Sequence, residues 1–261
     1  MSKTAAARRK QQPKASALDP HQTAWDDAIA TIAGGFAHDA NNCLTGIFSM
    51  SDLCLAQVEP QSPLHEPLSL MRDSASQASQ LLQRLTRLIY DRPGTRTYYD
   101  LNELTSETTD ILRRVLGRSL NLQLNLHSEP LPVFVDAVEL RQILIFLALN
   151  AYEAIRDAGN IVISTHFAQT PVKAACIWGN PPTPPFVSVR VADSARLFSA
   201  EDIQMLSRQI SGSKSPPAEK WMQRLLLVHR FAEKHDGVLA LDSVGERGST
   251  VQLCLPLANL A

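Results

Sequence analysis

Two consecutive stretches of the chain carry the same apolar rhythm, and that rhythm limits the fold more than any other feature of the sequence. From Trp25 to about Gln57, the residues Ile29, Ala33, Phe36, Ala40, Cys43, Ile47, Met50 and Cys54 recur at alternating spacings of four and three. A second run repeats the alternation through Leu68, Met71, Ala75, Ala78, Leu82, Leu85 and Ile89. Such spacing puts a narrow seam down one side of a helix. Pro60 and Pro63 separate the runs and Asp91-Arg92-Pro93-Gly94 stops the second, so residues 23–92 are expected to form a helical hairpin. One hairpin cannot cover its own seam. Pairing with a second copy, as a four-helix bundle in a homodimer, does so.

Beyond Asp91 the texture changes. Leu101–Leu116 reads as an amphipathic helix, Leu120–Leu126 alternates as a half-buried strand does, and Val133–Val135 is a further short strand. A helix over Asp136–Ala158 stops at Gly159. Strands follow at Ile161–Phe167 and Phe186–Val191, separated by the turn-rich Trp178–Pro185, in which Trp178 reads as a packing anchor. A last helix, about Lys220 to His235, leads into strands at Val238–Leu241 and Thr250–Leu255, a hairpin turning at Gly245–Gly248. The expected class is α+β: the helical hairpin, then an α/β sandwich with a largely antiparallel sheet over residues 98–258.

Composition narrows the function. The longest unbroken apolar run, Ile143–Leu149, is far short of the roughly 20 residues of a membrane helix, so a cytoplasmic protein with no membrane partner is expected. Cys43, Cys54, Cys176 and Cys254 occur singly, which argues against a zinc site or disulfides and for reduced, mostly buried thiols. Residues 1–22 hold Lys3, Arg8, Arg9, Lys10 and Lys14, while the whole chain is −1, so the remainder is net acidic. The basic arm reads as a disordered tail, and no nucleic-acid partner is expected. Glycine makes up 11 of 261 residues, against about 7% in an average protein, and only Gly212 lies between Asn180 and Asp236.

On the first helix, Phe36-Ala37-His38-Asp39-Ala40-Asn41-Asn42 places His38 two positions beyond the seam residue Phe36, on a side facing solvent. Asn41 and Asn42 share its face, three and four residues on. Asp39 is adjacent and able to orient the imidazole and take a proton. This motif in a dimerising hairpin resembles the phosphoacceptor box of sensor histidine kinases, in the branch reading His-Asp-x-Asn-Asn. The resemblance implies that His38 is the phosphoacceptor, Asp39 its acid/base partner and Asn42 the group that positions water to hydrolyse a phospho-aspartate. It continues through Asp100-Leu-Asn-Glu-Leu104, Val135-Asp136, Leu140–Ile143 and Asn150-Ala-Tyr-Glu-Ala154, and through the last helix and the closing hairpin. It implies that Asn150 holds the nucleotide's Mg²⁺ and Asp193 the adenine amino group.

Departures from the family pattern cluster in the nucleotide site. Phe146 stands where the family has an earlier Asn. Asp193-Ser194-Ala195-Arg196-Leu197 lacks both glycines of the adenine loop, and Met222-Gln223-Arg224 replaces a Gly-x-Gly before the last helix. Glycine there lets backbone amides approach phosphate, an approach that a Met or Arg side chain obstructs. Arg224 is itself a candidate to pair with a phosphate. Gly212-Ser213-Lys214 sits where the family has a lid segment and, before Pro216-Pro217, reads as a plain mobile loop; His229 and His235 read as surface residues.

The leading expectation is a phosphotransferase on a degenerate kinase scaffold. It passes phosphate through His38 to or from response-regulator receiver domains, acts also as a receiver phosphatase, and is fed by an upstream histidine or hybrid kinase. It needs no cofactor of its own, Mg²⁺ coming from the receiver and ATP being unused. The alternatives are an ATP-dependent kinase with an altered pocket and a non-catalytic scaffold. No sensor segment is evident ahead of Trp25, so the signal is expected from a partner.

Overall fold

The computed structural model describes residues 40–90, 94–116, 120–155, 159–195, 197–213, 217–243 and 248–258. Helix α1 spans 40–55 and α2 His65–Tyr90, joined by a turn containing Pro60 and Pro63. α2 starts one turn earlier than the apolar run indicates because Pro67 falls in its first turn, where proline's missing N–H costs nothing. Ser51 of α1 is buried, and its Oγ donates to the Ile47 carbonyl. In α2, Ala75 and Leu82 are buried and the helix packs on α3 and α4, so part of its seam is already used within one chain. Ile47, Met50 and Met71 stay exposed.

Strand β1 (Thr97–Asp100) pairs antiparallel with β3 (Pro132–Val135) as a separate ribbon. The main sheet has the order β2 (Leu120–Asn125), β4 (Gly159–Ala168), β6 (Phe186–Asp193), β8 (Ser249–Pro256), β7 (Val238–Ser243), β5 (Cys176–Gly179). All its pairs are antiparallel except β2–β4, so the sheet is mixed, with one parallel edge. Its inner face, including Ile161, Ile163, Val187, Val189, Leu253 and Leu239, meets a layer formed by α3 (Leu101–Leu116), α4 (Ala137–Ala154) and α6 (Lys220–Lys234). On the outer face a small cluster of Phe186, Val238 and Cys254 lies under Val172 of the β4–β5 connection.

Local sequence explains the main helices. Asp136 caps α4, its carboxylate accepting from the amides of Val138 and Glu139, which satisfies two donors that the helix start leaves open. α4 is covered nearly all round, which is why its sequence is a continuous apolar run rather than an amphipathic one. The Asp100-Leu-Asn stretch locks the entry to the sandwich. Asp100 Oδ1 accepts from the backbone amides of Asn102 and Leu131, and Asn102 Nδ2 of the side chain donates to the carbonyls of His127 and Glu129.

Several expectations need correction. Only Cys254 is buried; Cys43 and Cys54 are exposed and Cys176 is intermediate, because the first two stand on the outward side of the hairpin. His229 and His235 are buried, since α6 packs both against its neighbour α4 and onto the sheet and has little free surface. Trp178 belongs to strand β5 rather than to a turn; it does anchor packing, buried with its Nε1 donating to Ser207 Oγ at 3.0 Å. That serine lies on a helix the apolar pattern leaves unassigned, α5 (Ala200–Ile210), announced by a capping box in which Ser199 and Asp202 satisfy each other's backbone amides. Residues 1–39, Lys214 and residues 244–247, on which the expected tail, the start of the hairpin, part of the lid segment and the expected turn fall, lie outside the described residues.

Candidate functional site

Helices α4 and α6 run antiparallel across the core, and two clusters of buried charge join them. Near the end of α4, Asn150 and Glu153 meet Arg224, which stands in the second turn of α6. The Arg224 guanidinium grips Glu153 as a fork, Nη2 to Oε1 at 2.6 Å and Nη1 to Oε2 at 2.7 Å, while Nη1 also donates to Asn150 Oδ1 at 3.0 Å. The Asn150 amide nitrogen donates to the Trp221 carbonyl at 3.1 Å. Both ends of the Asn150 amide are therefore engaged from α6. The Arg224 side chain is 0% exposed and that of Glu153 37%, so the cation is wholly inside and the carboxylate keeps an edge in water.

The segment that replaces the family's Gly-x-Gly is helical rather than a loop. α6 begins at Lys220, so Met222, Gln223 and Arg224 lie in its first turns, and Met222 is buried. Gln223 reaches back to donate to the Pro217 carbonyl at 2.7 Å. The Trp221 ring meets Phe198 edge-on at 5.5 Å, and Phe146, the residue at the missing asparagine, is fully buried.

Asp193 closes β6. Its Oδ1 accepts from the Ala195 amide at 2.9 Å and its Oδ2 from Ser249 Oγ at 2.8 Å. Gly248, at φ +102°, supports this contact: a Cβ there would overlap the Asp193 carbonyl oxygen.

At the other end of the pair, the carboxylate of Glu139 on α4 is buried against Lys234 Nζ at 2.5 Å and His235 Nε2 at 3.6 Å, both at the end of α6. Burial pushes the Glu139 carboxyl up, but the hydrogen bonds and charges of His235 and Lys234 outweigh it and hold the pKa below its ordinary value of 4.5. Arg96, leading from the hairpin into β1, donates to the Lys234 carbonyl at 2.7 Å and lines a cavity of about 140 Å³ with Phe134, His235 and Asp236.

Of the sequence-derived site residues, His38 and Asp39 lie outside the described residues. Asn42 is exposed on α1, and Asn150 and Asp193 sit on α4 and at the end of β6. Arg224 binds Glu153 and Asn150 instead of presenting itself to a phosphate. Glu153, Trp221 and Glu139 escaped the reading of the sequence. The available signal was a single arginine ahead of the apolar run Leu225-Leu-Leu-Val228, a cation that needs a partner once that helix is buried.

The chain is homologous to sensor histidine kinases. It is 24% identical over 229 residues to the sensor kinase CckA of Brucella abortus (strain 2308), covering 88% of this chain and 24% of that protein. To the sensor histidine kinase ZraS of Klebsiella oxytoca it is 24% identical over 233 residues, 88% of this chain and 46% of that one. The chain thus spans a quarter to a half of the length of these relatives. Its fold matches a solved bacterial phosphotransferase with a TM-score of 0.57 at 8% identity, over 91% of this chain and 98% of that one. No family model matches the sequence. Among the described residues no helix is long and apolar enough to cross a membrane.

Proposed function

We propose that this protein moves phosphoryl groups between receiver domains through His38 and does not draw them from ATP. The observation that carries the reading is the state of Asn150: the side chain that would hold a nucleotide's Mg²⁺ is bonded at both ends to α6, against a fully buried arginine. Around it Met222 and Arg224 fill what would be a glycine loop, and helix replaces the free amides that cradle phosphate. These residues do not fit a metal–nucleotide. Similarity to sensor histidine kinases supports the two-component part of this reading, and a solved bacterial phosphotransferase shares the fold.

In this reading Nε2 of His38 attacks the phosphorus of a receiver's aspartyl phosphate, the P–O bond to that carboxylate breaks, and phosphohistidine forms. Asp39 holds the other ring nitrogen's proton and balances the charge. A second receiver's aspartate then attacks, the P–N bond breaks, and neutral histidine returns. The receivers supply the Mg²⁺ that shields the moving phosphoryl group. With Asn42 placing a water instead, the same face hydrolyses the aspartyl phosphate. The exposed apolar side chains of α1 and α2 support a homodimer built on the hairpin.

The test is transfer of labelled phosphate. Label reaching wild-type protein from a phosphorylated receiver, but not H38A, is expected; label arriving from γ-labelled ATP alone would mark an active kinase. Signalling unchanged by H38A would mark a scaffold.

A further inference from the structure

Resting on that reading and deepening it, we infer that Arg224 is a built-in cation that supplies from inside the chain the positive charge a metal would bring to Asn150 and Glu153, and so clamps α6 permanently onto α4. The two cations compete for the same atoms. Asn150 Oδ1 already accepts from Nη1, and both Glu153 oxygens are taken by the fork. A fully buried guanidinium is stable only while its carboxylate stays in place, so the pair also fixes where α6 begins. The fork geometry is specific to arginine. A lysine at 224 brings the charge but not two parallel N–H bonds.

The clamp has a second pin. Glu139 lies fourteen residues before Glu153 in the sequence, about 21 Å along α4, and is gripped by Lys234 and His235 from the far end of α6. Between the pins the contact is apolar, with Ile143, Phe146, Leu147, Leu227, Val228 and Phe231 all buried. Each pin pairs a buried group with one that keeps contact with water: Glu153 at 37% and Lys234 at 43% exposure. A nucleotide site has to open and admit its ligand between such elements. Here they are pinned at both ends.

The experiment is a double-mutant cycle of wild type, R224M, E153Q and R224M/E153Q, with R224K alongside, unfolded in urea at pH 7 with and without Mg–ATP. Each single variant should lower the midpoint. The double variant should recover most of the loss, a coupling of at least about ten-fold in the unfolding constant. R224K should fall well short of wild type, and Mg–ATP should move no midpoint. Additive losses, or full rescue by R224K, overturn the clamp and leave the phosphotransfer reading standing. A wild-type midpoint raised by Mg–ATP with the coupling intact overturns instead the reading that ATP is unused. Should R224M fail to fold, amide exchange of E153Q carries the test: protection lost over Lys220–Arg224 but kept around Glu139 is expected, and uniform loss overturns the clamp.

Discussion

In the hairpin, Ile47, Met50, Leu53, Leu70 and Met71 stand in solvent; in the sandwich, Arg224, Glu139 and His235 are inside. The two regions depart from the usual distribution of side chains in opposite directions, and the reasons differ. Apolar groups left out along the hairpin have no cover among the described residues, and in the homodimer proposed above that surface meets a second copy. The buried charges of the sandwich are paired from within, Arg224 with Glu153 and Asn150, Glu139 with Lys234 and His235, although Arg224 Nε and Glu139 Oε2 are buried without a hydrogen-bond partner. Charge that is already paired inside the chain has little to offer a nucleotide. The half of the molecule that resembles an enzyme pocket is therefore the closed half, and the half that resembles a simple coiled coil is the open one.

The strongest way to break this contrast is to unbalance the buried pair. E153Q takes the carboxylate charge away from the wholly buried Arg224 cation and leaves it only neutral amide oxygens, and is expected to cost about 3–5 kcal/mol of folding stability. R224M leaves Glu153, which is 37% exposed and can rehydrate, so its cost should be nearer about 1–3 kcal/mol. Urea unfolding followed by circular dichroism reads both. Equal losses would mean that burial of the cation is not what sets the energy of the pair.

The same contrast marks what could be read from the chain. Seam spacing gave two helices over the part of the hairpin that is described, residues 40–90, and apolar patterning gave α3 with its observed ends and α4 within a few residues, because those signals are local. The pairing of Arg224 with Glu153 is not local. It joins residues 71 apart in sequence, and nothing in either helix alone announces it. His229 and His235 look like surface residues on a helical projection and are buried only because α6 packs both against α4 and onto the sheet. β5 was hidden by its own Gly179 and by the prolines that follow it, and its strand character comes from pairing with β7. Of the candidate site, the residue types were legible, but their engagement with one another was not.

A smaller effect comes from pH. The carboxyl of Glu139 titrates below its ordinary 4.5 in the folded chain, so the unfolded chain binds the proton first as pH falls. The stabilisation is fully present above 4.5 and lost as pH drops through the lower, folded value. His229 is likewise held below its ordinary 6.5, burial outweighing the attraction of Glu233. It stays neutral in the fold while the unfolded chain takes up a proton, so stability should begin to fall below pH 6.5. E139Q should cost about 2 kcal/mol at pH 7 and flatten the acid limb of the stability curve, and H229Q should flatten the slope just below 6.5. Unchanged limbs in both variants would show that neither buried group governs acid sensitivity.

The hairpin offers the converse measurement, small in folding energy and visible in assembly. Met50 is 64% exposed and Ile47 45%, so M50E and I47E should change the stability of one chain by no more than about 0.5 kcal/mol. Placed on a seam between two copies, each should weaken association, at about 1–3 kcal/mol per dimer, which light scattering across a dilution series would detect. The native cysteines report on the same face. Cys43 and Cys54 are exposed on the single chain, whereas Cys254 is buried with its thiol pushed up to about 12. A thiol reagent should therefore modify the first two quickly in M50E and slowly in wild type, and leave Cys254 unmodified in both. Equal rates at Cys43 and Cys54 in wild type and M50E would mean that no second copy covers the seam, and the exposed apolar side chains would then have to answer to a different partner.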